Sequence, residues 1–460
     1  MRLTSPWTAR LADIDGSASE RLVAALEEDI VAGRLPAGAR LPAHRDLAWR
    51  LGIAVATVTK AYRQLERRGL VASMRGRATF VADAPPHARE MVDLATNVPP
   101  LALSDRLLSA TLTDLAKRLD AARFGTYMPP AGSAGHRAAL ARWLGAGRFA
   151  VDADRLLLCN GAQHALSIAL AASCPPGTPL LTEALTYPGA VLLARLNGWP
   201  LHGLPVDGQG LRPDGLRDRL AALAGRGPKP VLYLTPTLHN PTAATMGAAR
   251  RREIAVLCRR HDLTIVEDDV YGALAPDAPP PLAALAPERV LHVTGLSKCL
   301  SPGLRIGALL APQPMLGACL AALQASCTMA APLSCLIMER WLLDGTADGV
   351  CAAVRREAAH RTGLAAAALD LPAPARPGFH LWLPMPAPAA RRLREAAMTA
   401  GLLLGDPDSM TAAGDDTTAT TGLRICLGSP AVESLQAAID QLAVLRERSV
   451  DASPAGRALV

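Results

Sequence analysis

The sequence predicts a small, mostly helical unit with a two-stranded β element, followed by a large α/β unit. Three short helical patterns and one alternating pattern fill residues 1–82. A Pro-containing connector, "DAPPHARE", occupies residues 83–90, and short apolar, strand-like runs alternate with helical patterns over residues 91–460. A chain of 460 residues also exceeds one average domain. We therefore predict an N-terminal unit, a linker and a large unit with these bounds, the last ending in a smaller subdomain of about residues 345–445.

The composition suits a globular protein, because half of the residues are hydrophobic and 19% are charged. Nine scattered cysteines without a CxxC pair indicate reduced thiols and argue against a disulfide framework or a metal site. Residues 306–338 carry no charge, but Pro312, Pro314 and Pro332 interrupt them and no basic cluster flanks them. The N-terminus lacks an apolar signal segment. We expect a cytoplasmic protein with no membrane contact.

The N-terminal unit has the pattern of a winged helix-turn-helix. Ser17 and Glu20 form a capping box ahead of the first helix, and "HRDLAWRLG" and "VATVTKAYRQLERRG" predict the second and third. "LVASMRGRATFV" alternates around a Gly-containing turn, as a two-stranded wing does. Residues 1–81 hold 13 Lys/Arg against 8 Asp/Glu, out of a net charge of +7 for the chain. Such a basic unit is typical of one that binds double-stranded DNA.

This segment resembles the GntR-type winged helix-turn-helix over residues 17–82, through "GRLPAGARLPAHRDLAWRLG", "TVTKAYRQLERRGLV" and "RGRATFV". The third helix departs from the family because "IAVAT" lacks the usual Ser/Thr-Arg start, and Ala78 replaces a glycine of the wing. The alternative is a unit that now serves only as structure. The resemblance implies that the DNA contacts are Arg45, Thr57, Thr59, Lys60, Arg75 and Arg77.

The large unit reads as strands and helices in alternation, which predicts a parallel or mixed sheet covered on both faces. "RLLLCNG", "PVLYLTP", "DLTIVEDD" and "RVLHVTG" are its short strand-like runs. Gly161, Asp268 and Lys298 each lie where one of these runs ends. Open α/β sheets bind ligands at the carboxyl ends of their strands. The sequence therefore predicts a ligand site built from these three positions.

Lys298 lies in "TGLSKCLSPGLRIG", beside small residues and without a neighbouring acid. A lysine that follows a buried strand is suited to be neutral or tied up as an imine, and Arg305 can then bind a phosphate. The segment resembles the lysine segment of fold-type I pyridoxal-phosphate-dependent aminotransferases, with Gly295 in place of its first serine. The resemblance implies pyridoxal 5′-phosphate as the cofactor, Lys298 as its attachment point, and Ser297 and Arg305 as neighbours of its phosphate.

Three further segments extend the resemblance in order and spacing. They are "NGAQHAL", where a helix start can hold an anion, "TEALTYPGA" and "HNPTAATM". In the last, Ala243 replaces the family's glycine. The resemblance implies that the phosphate is bound at Gly161, Ala162 and Gln163, that Tyr187 stacks on the pyridine ring and that Asn240 bonds its phenolic oxygen.

The remaining segments supply the acid, the effector contact and a contact from a second subunit. "VEDDVYG" implies that Asp268 pairs with the pyridine nitrogen and Tyr271 with the phenolic oxygen, with Asp269 as the competing choice. "TGLRICLG" implies that Arg424 binds a carboxylate, and Tyr127 is expected to reach the phosphate of the partner in a homodimer. Each segment alone has an ordinary structural explanation, but their joint order favours a cofactor site.

A GntR-type unit ahead of an aminotransferase-like unit resembles the MocR-type transcriptional regulators. This resemblance implies a DNA-binding regulator that senses an amino acid or amine through an external aldimine. The alternative is a working aminotransferase with an accessory N-terminal unit, since Lys298 can move the α-proton and Asp268 can hold the ring nitrogen protonated. A third interpretation is a regulator that answers to pyridoxal phosphate itself.

Overall fold

The computed structural model describes residues 7–13, 16–32, 34–36, 38–67, 70–74, 78–81, 91–117, 119–412 and 421–451. The chain divides into two compact units, Met1–Met91 and Val92–Val460. Each unit has hydrophobic cores of its own.

The N-terminal unit contains helices α1 (Ala18–Val31), α2 (His44–Leu51) and α3 (Val55–Arg67), then strands β1 (Val71–Met74) and β2 (Ala78–Val81). The capping box at Ser17 forms in full, and Gly52 ends α2 with a φ of 64°. The two strands pair antiparallel. The apolar faces of the helices pack together, and the buried Tyr62 hydroxyl donates to the Pro42 carbonyl at 2.9 Å. The predicted winged helix-turn-helix is confirmed.

The large unit alternates strands and helices along most of its length. Its helices are α4 (Asp105–Ala116), α5 (Ala121–Phe124), α6 (Ala134–Gly145), α7 (Ala162–Ser173), α8 (Pro188–Asn197), α9 (Pro213–Leu223), α10 (Ala248–Arg260), α11 (Leu282–Leu285), α12 (Leu316–Cys327), α13 (Pro332–Leu343), α14 (Thr346–Ala368), α15 (Ala387–Thr399) and α16 (Val432–Asp451). Its strands are β3 (Val92–Asp93), β4 (Leu156–Cys159), β5 (Leu180–Glu183), β6 (Leu201–Leu204), β7 (Val206–Asp207), β8 (Gly210–Leu211), β9 (Val231–Leu234), β10 (Thr264–Asp268), β11 (Val290–Gly295), β12 (Gly307–Leu310), β13 (His380–Pro384), β14 (Leu402–Leu403) and β15 (Gly422–Cys426).

Seven strands form the central sheet in the order β4-β12-β11-β10-β9-β5-β6. β12 runs antiparallel to both of its neighbours, and the other paired strands are parallel. The predicted mixed α/β sheet is confirmed. Its central strands β9, β11 and β12 are buried along their whole length, which is why their sequences are largely apolar. The carboxyl ends of β5, β9, β10 and β11 meet at one edge of the sheet.

A smaller layer near the C-terminus is built on β13 and β15, which pair antiparallel with Trp382 opposite Arg424. α14, α15 and α16 pack on it around a separate apolar core. β3 also joins this layer, because it pairs in parallel with β14 and places Leu94 in the same core. The first residues of the large unit therefore reach the C-terminal layer, a pairing that sequence reasoning missed.

The uncharged stretch 306–338 folds as β12, α12 and the start of α13. In the parts of the chain that the structure describes, no helix has both the length and the apolar character needed to cross a bilayer.

Candidate functional site

A cavity of about 420 Å³ lies at the carboxyl ends of the strands of the central sheet. We call it the strand-end cavity. It brings together residues predicted from six separate segments of the sequence. The predicted residues that line it are Ala162, Gln163, Tyr187, Asn240, Asp268, Tyr271, Ser297, Lys298, Arg305 and Arg424.

One end of the cavity is suited to an anion. α7 begins at Gly161 with no side-chain cap, so its first backbone N–H groups are not bonded by a capping side chain. The Arg305 guanidinium lies over the same turn and donates from Nη2 to the Asn160 carbonyl at 3.4 Å. Gly161 has a φ of 87°, and a Cβ built there would lie 2.4 Å from Arg305 Nη2. Glycine suits both the positive φ and this close approach, and the helix start and the guanidinium together form a cradle for an anion.

Two departures from the family pattern have a local geometric setting. A Cβ on Gly295 would lie 3.2 Å from both the Ala162 Cβ and the Ile306 carbonyl, so glycine lets these two segments pack closely. Ala243 has a φ of 59°, in the left-handed region where glycine is the usual residue.

The carboxylate of Asp268 is buried beneath the cavity, with 5% of the residue exposed. Burial raises its pKa to about 6, while the Tyr233 hydroxyl donates to its Oδ2 at 3.0 Å and opposes that rise. The neighbouring Asp269 does not line the cavity. It forms an ion pair with Arg148, whose Nη1 lies 2.6 Å from Asp269 Oδ2. A carboxyl group with this pKa can be ionised or protonated near neutral pH, according to the charge it faces.

Lys298 enters the cavity from the segment after β11. Burial and, after it, the positive charge of Arg424 lower the pKa of its amine to about 8. Its Nζ donates a short hydrogen bond to the backbone carbonyl of Asn97. A large fraction of this amine is therefore neutral, and able to act as a nucleophile, at mildly alkaline pH.

Arg424 and Asn240 are joined in the cavity wall. Arg424 Nη1 donates to Asn240 Oδ1 at 2.7 Å and Nη2 donates to the Ala95 carbonyl at 3.0 Å. Its buried Nε has no hydrogen-bond partner among the described residues. The guanidinium is thus held in place by two hydrogen bonds, and its Nε–H takes part in neither of them.

Sequence reasoning missed two residues of the site. Asn97 lines the cavity and its Nδ2 donates to the Tyr271 hydroxyl at 2.8 Å. Tyr233 lies in the middle of β9 and is completely buried. In the sequence, Tyr233 is indistinguishable from a core residue, and Asn97 follows a two-residue strand with no motif around it. Only the folded structure brings them to Tyr271 and Asp268.

Tyr127 lies outside the cavity and is 82% exposed. In the N-terminal unit, Arg45 and Lys60 are exposed and Thr57 is half-buried. The Thr59 hydroxyl donates to the Val55 carbonyl at 3.0 Å and lies 3.0 Å from His44 Nδ1. The two wing arginines predicted to contact DNA, at positions 75 and 77, lie outside the described residues.

All nine cysteines are free thiols. The described part of the chain contains no group of three or more His, Cys, Asp or Glu side chains arranged to hold a metal ion.

Comparison with known proteins gives two family matches. Residues 89–442 match the family of class I and II aminotransferases, and residues 18–81 match the gntR family of bacterial regulatory proteins. The chain is 27% identical over 433 residues to the uncharacterized HTH-type transcriptional regulator YdfD of Bacillus subtilis. This alignment covers 84% of this chain and 88% of that protein. It is 40% identical over 167 residues to aminotransferase swnA of Metarhizium robertsii, covering 34% and 33% of the two chains.

Among solved structures, the chain resembles the alpha-aminoadipate aminotransferase LysN of Thermus thermophilus, complexed with N-(5′-phosphopyridoxyl)-L-leucine. The TM-score is 0.70 at 24% identity, over 79% of this chain and 94% of that chain. This similarity supports the fold.

Proposed function

The chain belongs to the class I and II aminotransferase family and carries a GntR-family unit ahead of it, and from this premise we propose that it is a DNA-binding transcriptional regulator that senses an amino acid or amine. The two family matches confirm the GntR-type and the aminotransferase-type resemblances seen in the sequence. The observation that carries the proposal is this combination, since a relative named as a transcriptional regulator matches over most of both chains, whereas one named as an aminotransferase matches over about a third.

The cofactor of this family is pyridoxal 5′-phosphate, and the strand-end cavity fits it. When bound, it supplies an aldehyde that joins reversibly to amines and a ring that withdraws electrons. The fit has three parts: an anion cradle at the start of α7, a buried acid, and a lysine whose amine has a lowered pKa.

We assign the contacts by this chemistry. The backbone N–H groups of Ala162 and Gln163 and the Arg305 guanidinium would hold the phosphate. Asp268 would hold a proton on the ring nitrogen, because an ionised carboxylate is stabilised by a cation beside it. Tyr187 would lie against the ring. Lys298 lines the same cavity and would supply the amine that joins the cofactor's aldehyde.

Asn240 and Tyr271 would bind the phenolic oxygen, and Arg424 would bind the carboxylate of an incoming amino acid. The buried N–H of Arg424 supports that role, because it gains a partner when an anion enters. An effector changes DNA binding only if it prefers one arrangement of the protein over another. We therefore expect the effector to compete for the place that the Lys298 amine holds.

Lys60 and Arg63 lie exposed on α3 of the N-terminal unit, as expected of side chains that contact DNA phosphates. We also propose a homodimer. Phe124 is an exposed apolar side chain three positions before the exposed Tyr127, and Leu101 is a second exposed apolar side chain of the same unit; a second copy of the chain would cover them.

Transamination is the second candidate function. It is favoured by the gathering of Lys298, Asp268 and Arg424 in one cavity, because these groups can respectively move a proton, hold the ring nitrogen and seat a carboxylate. Repeated turnover of an amino donor with a 2-oxo acid distinguishes an enzyme from a sensor.

The test uses the full chain and the duplex immediately upstream of its own gene. We expect DNA retention in a fluorescence-anisotropy titration, and a change in affinity when single amino acids or amines are added to protein loaded with pyridoxal phosphate. Lys298→Ala should retain basal DNA binding and lose that response, whereas Lys229→Ala, at an exposed lysine paired with Asp262, should keep both. If the protein retains no DNA at low salt and also catalyses rapid transamination, the regulator proposal is wrong.

A further inference from the structure

Asn97 contacts two functional groups of the strand-end cavity at once. Its side-chain Nδ2 donates to the Tyr271 hydroxyl at 2.8 Å, and its backbone carbonyl accepts from the Lys298 amine. Asn97 is 9% exposed and Tyr271 is 1% exposed, so the bond between their side chains is shielded from bulk water. The segment that carries Asn97 is fixed by the parallel pairing of β3 with β14 and by the Asp93 carboxylate, which accepts from the backbone N–H groups of Ala95 and Thr96.

The direction of the hydrogen bond decides what Tyr271 can do. A phenol has one proton to donate. Asn97 presents its amide nitrogen to the Tyr271 oxygen, while its buried Oδ1 has no hydrogen-bond partner among the described residues. In this orientation the phenolic proton is not used in the bond between the two side chains. Among the described residues no acceptor is found for it, and Tyr271 lines the cavity. The proton of Tyr271 is therefore available to a ligand in the cavity.

We propose that Asn97 is a positioning residue of the cofactor site: its amide fixes Tyr271 as a hydrogen-bond donor toward the cofactor's phenolic oxygen. This inference rests on the proposed function, since it needs pyridoxal phosphate in the cavity. The Asn97 side chain acts through Tyr271.

The test is a double-mutant cycle on the full chain with pyridoxal phosphate as the probe. Wild type, Asn97→Leu, Tyr271→Phe and the double variant are titrated with the cofactor, and two quantities are read. These are the dissociation constant and the fraction of bound cofactor that absorbs in the visible region at one fixed pH. Asn197→Leu is the matched control, because it makes the same chemical change at an exposed asparagine that donates to the Leu193 carbonyl.

We expect each single substitution to weaken cofactor binding by roughly 3- to 10-fold, the loss of one hydrogen bond. We expect both to lower the visible fraction, since that fraction depends on the donor at the phenolic oxygen. The double variant should be no weaker than Tyr271→Phe alone, because the two residues act through one bond. The control should match wild type in both readings.

Asn97→Asp provides a second variant of the same shape, in case Asn97→Leu lowers the thermal stability of the cofactor-free protein more than the control does. A carboxylate can only accept, so Tyr271 must turn its proton away from the cofactor, and the visible fraction should fall as in Tyr271→Phe. Additive effects in the cycle, or Asn97 variants that match wild type, would overturn the inference while the proposed function stands. A wild-type protein that binds no cofactor would overturn both.

Discussion

The lowered pKa of Lys298 makes a quantitative prediction about how fast the cofactor attaches. Only a neutral amine can bond to an aldehyde carbon. With a pKa of about 8 instead of 10.5, half of the Lys298 amines are neutral at pH 8, against roughly 1 in 300 for an unperturbed lysine. We expect the attachment rate to rise with pH through a midpoint near 8 and then to level off; at pH 8 it should be about 150 times the rate for an exposed lysine, which is the ratio of the two neutral fractions.

Arg424 is the perturbation that tests the cause. Burial is the larger cause of the lowered pKa and the charge of Arg424 is the next, while Asp268 and Cys426 oppose it and Arg305 adds to it. Arg424→Gln removes a positive charge and keeps most of the side chain, so the pKa of Lys298 should rise and the midpoint should move to higher pH. Arg226→Gln, at an exposed arginine outside the cavity lining, should leave the midpoint where it is.

The assay is stopped-flow absorbance of cofactor-free protein mixed with excess pyridoxal phosphate over a series of pH values. The ionisations of free pyridoxal phosphate are common to all variants, so differences between midpoints belong to the protein. Lys298→Ala sets the signal for binding without attachment. A wild-type midpoint at the ordinary lysine value, or an Arg424→Gln midpoint equal to that of wild type, would refute the reasoning.

Three more outcomes follow from the structure. Tyr233→Phe removes a hydrogen bond to the ionised Asp268 that is worth about 1.5–3 kcal/mol. The acid dissociation constant of Asp268 should therefore fall roughly 10- to 100-fold, and the pH titration of the bound cofactor's absorbance should move to higher pH. Gly161→Ala should weaken cofactor binding at least 10-fold by displacing the phosphate cradle, whereas Gly147→Ala, also at a positive φ but in open space, should not. Lys60→Ala should weaken binding to every duplex and reduce the salt slope by about 1; an unaltered slope would remove Lys60 from the phosphate contacts.

The helices and the central sheet could be predicted because their signals are local. The Ser17–Glu20 capping box and the apolar periodicity of α7 depend on residues within a few positions of one another. The parallel pairing of β3 with β14 could not be predicted, because it joins residues about 310 positions apart through a two-residue strand. No pattern of two residues specifies a partner.

Side chains that act through other side chains were missed for the same reason. Asn97 and Tyr271 are separated by 174 positions, and Tyr233 and Asp268 by 35. Each pair is defined by the packing of two elements and by nothing within either one. A buried tyrosine in a strand has an ordinary place in a core, so its hydroxyl reveals its role only when an acceptor is found for it.

Asp268 and Asp269 are chemically identical neighbours with different surroundings. Asp268 is the last residue of β10 and Asp269 is the first residue after it. Asp268 faces Tyr233 and the cavity, where burial raises its pKa to about 6. Burial alone would also raise the pKa of Asp269, but the Arg148 guanidinium lowers it below its ordinary value. Gly272 permits that ion pair, since a Cβ there would lie 2.0 Å from Arg148 Nη1. The acid that can respond to a bound cation is therefore Asp268, whereas Asp269 is already paired within the protein.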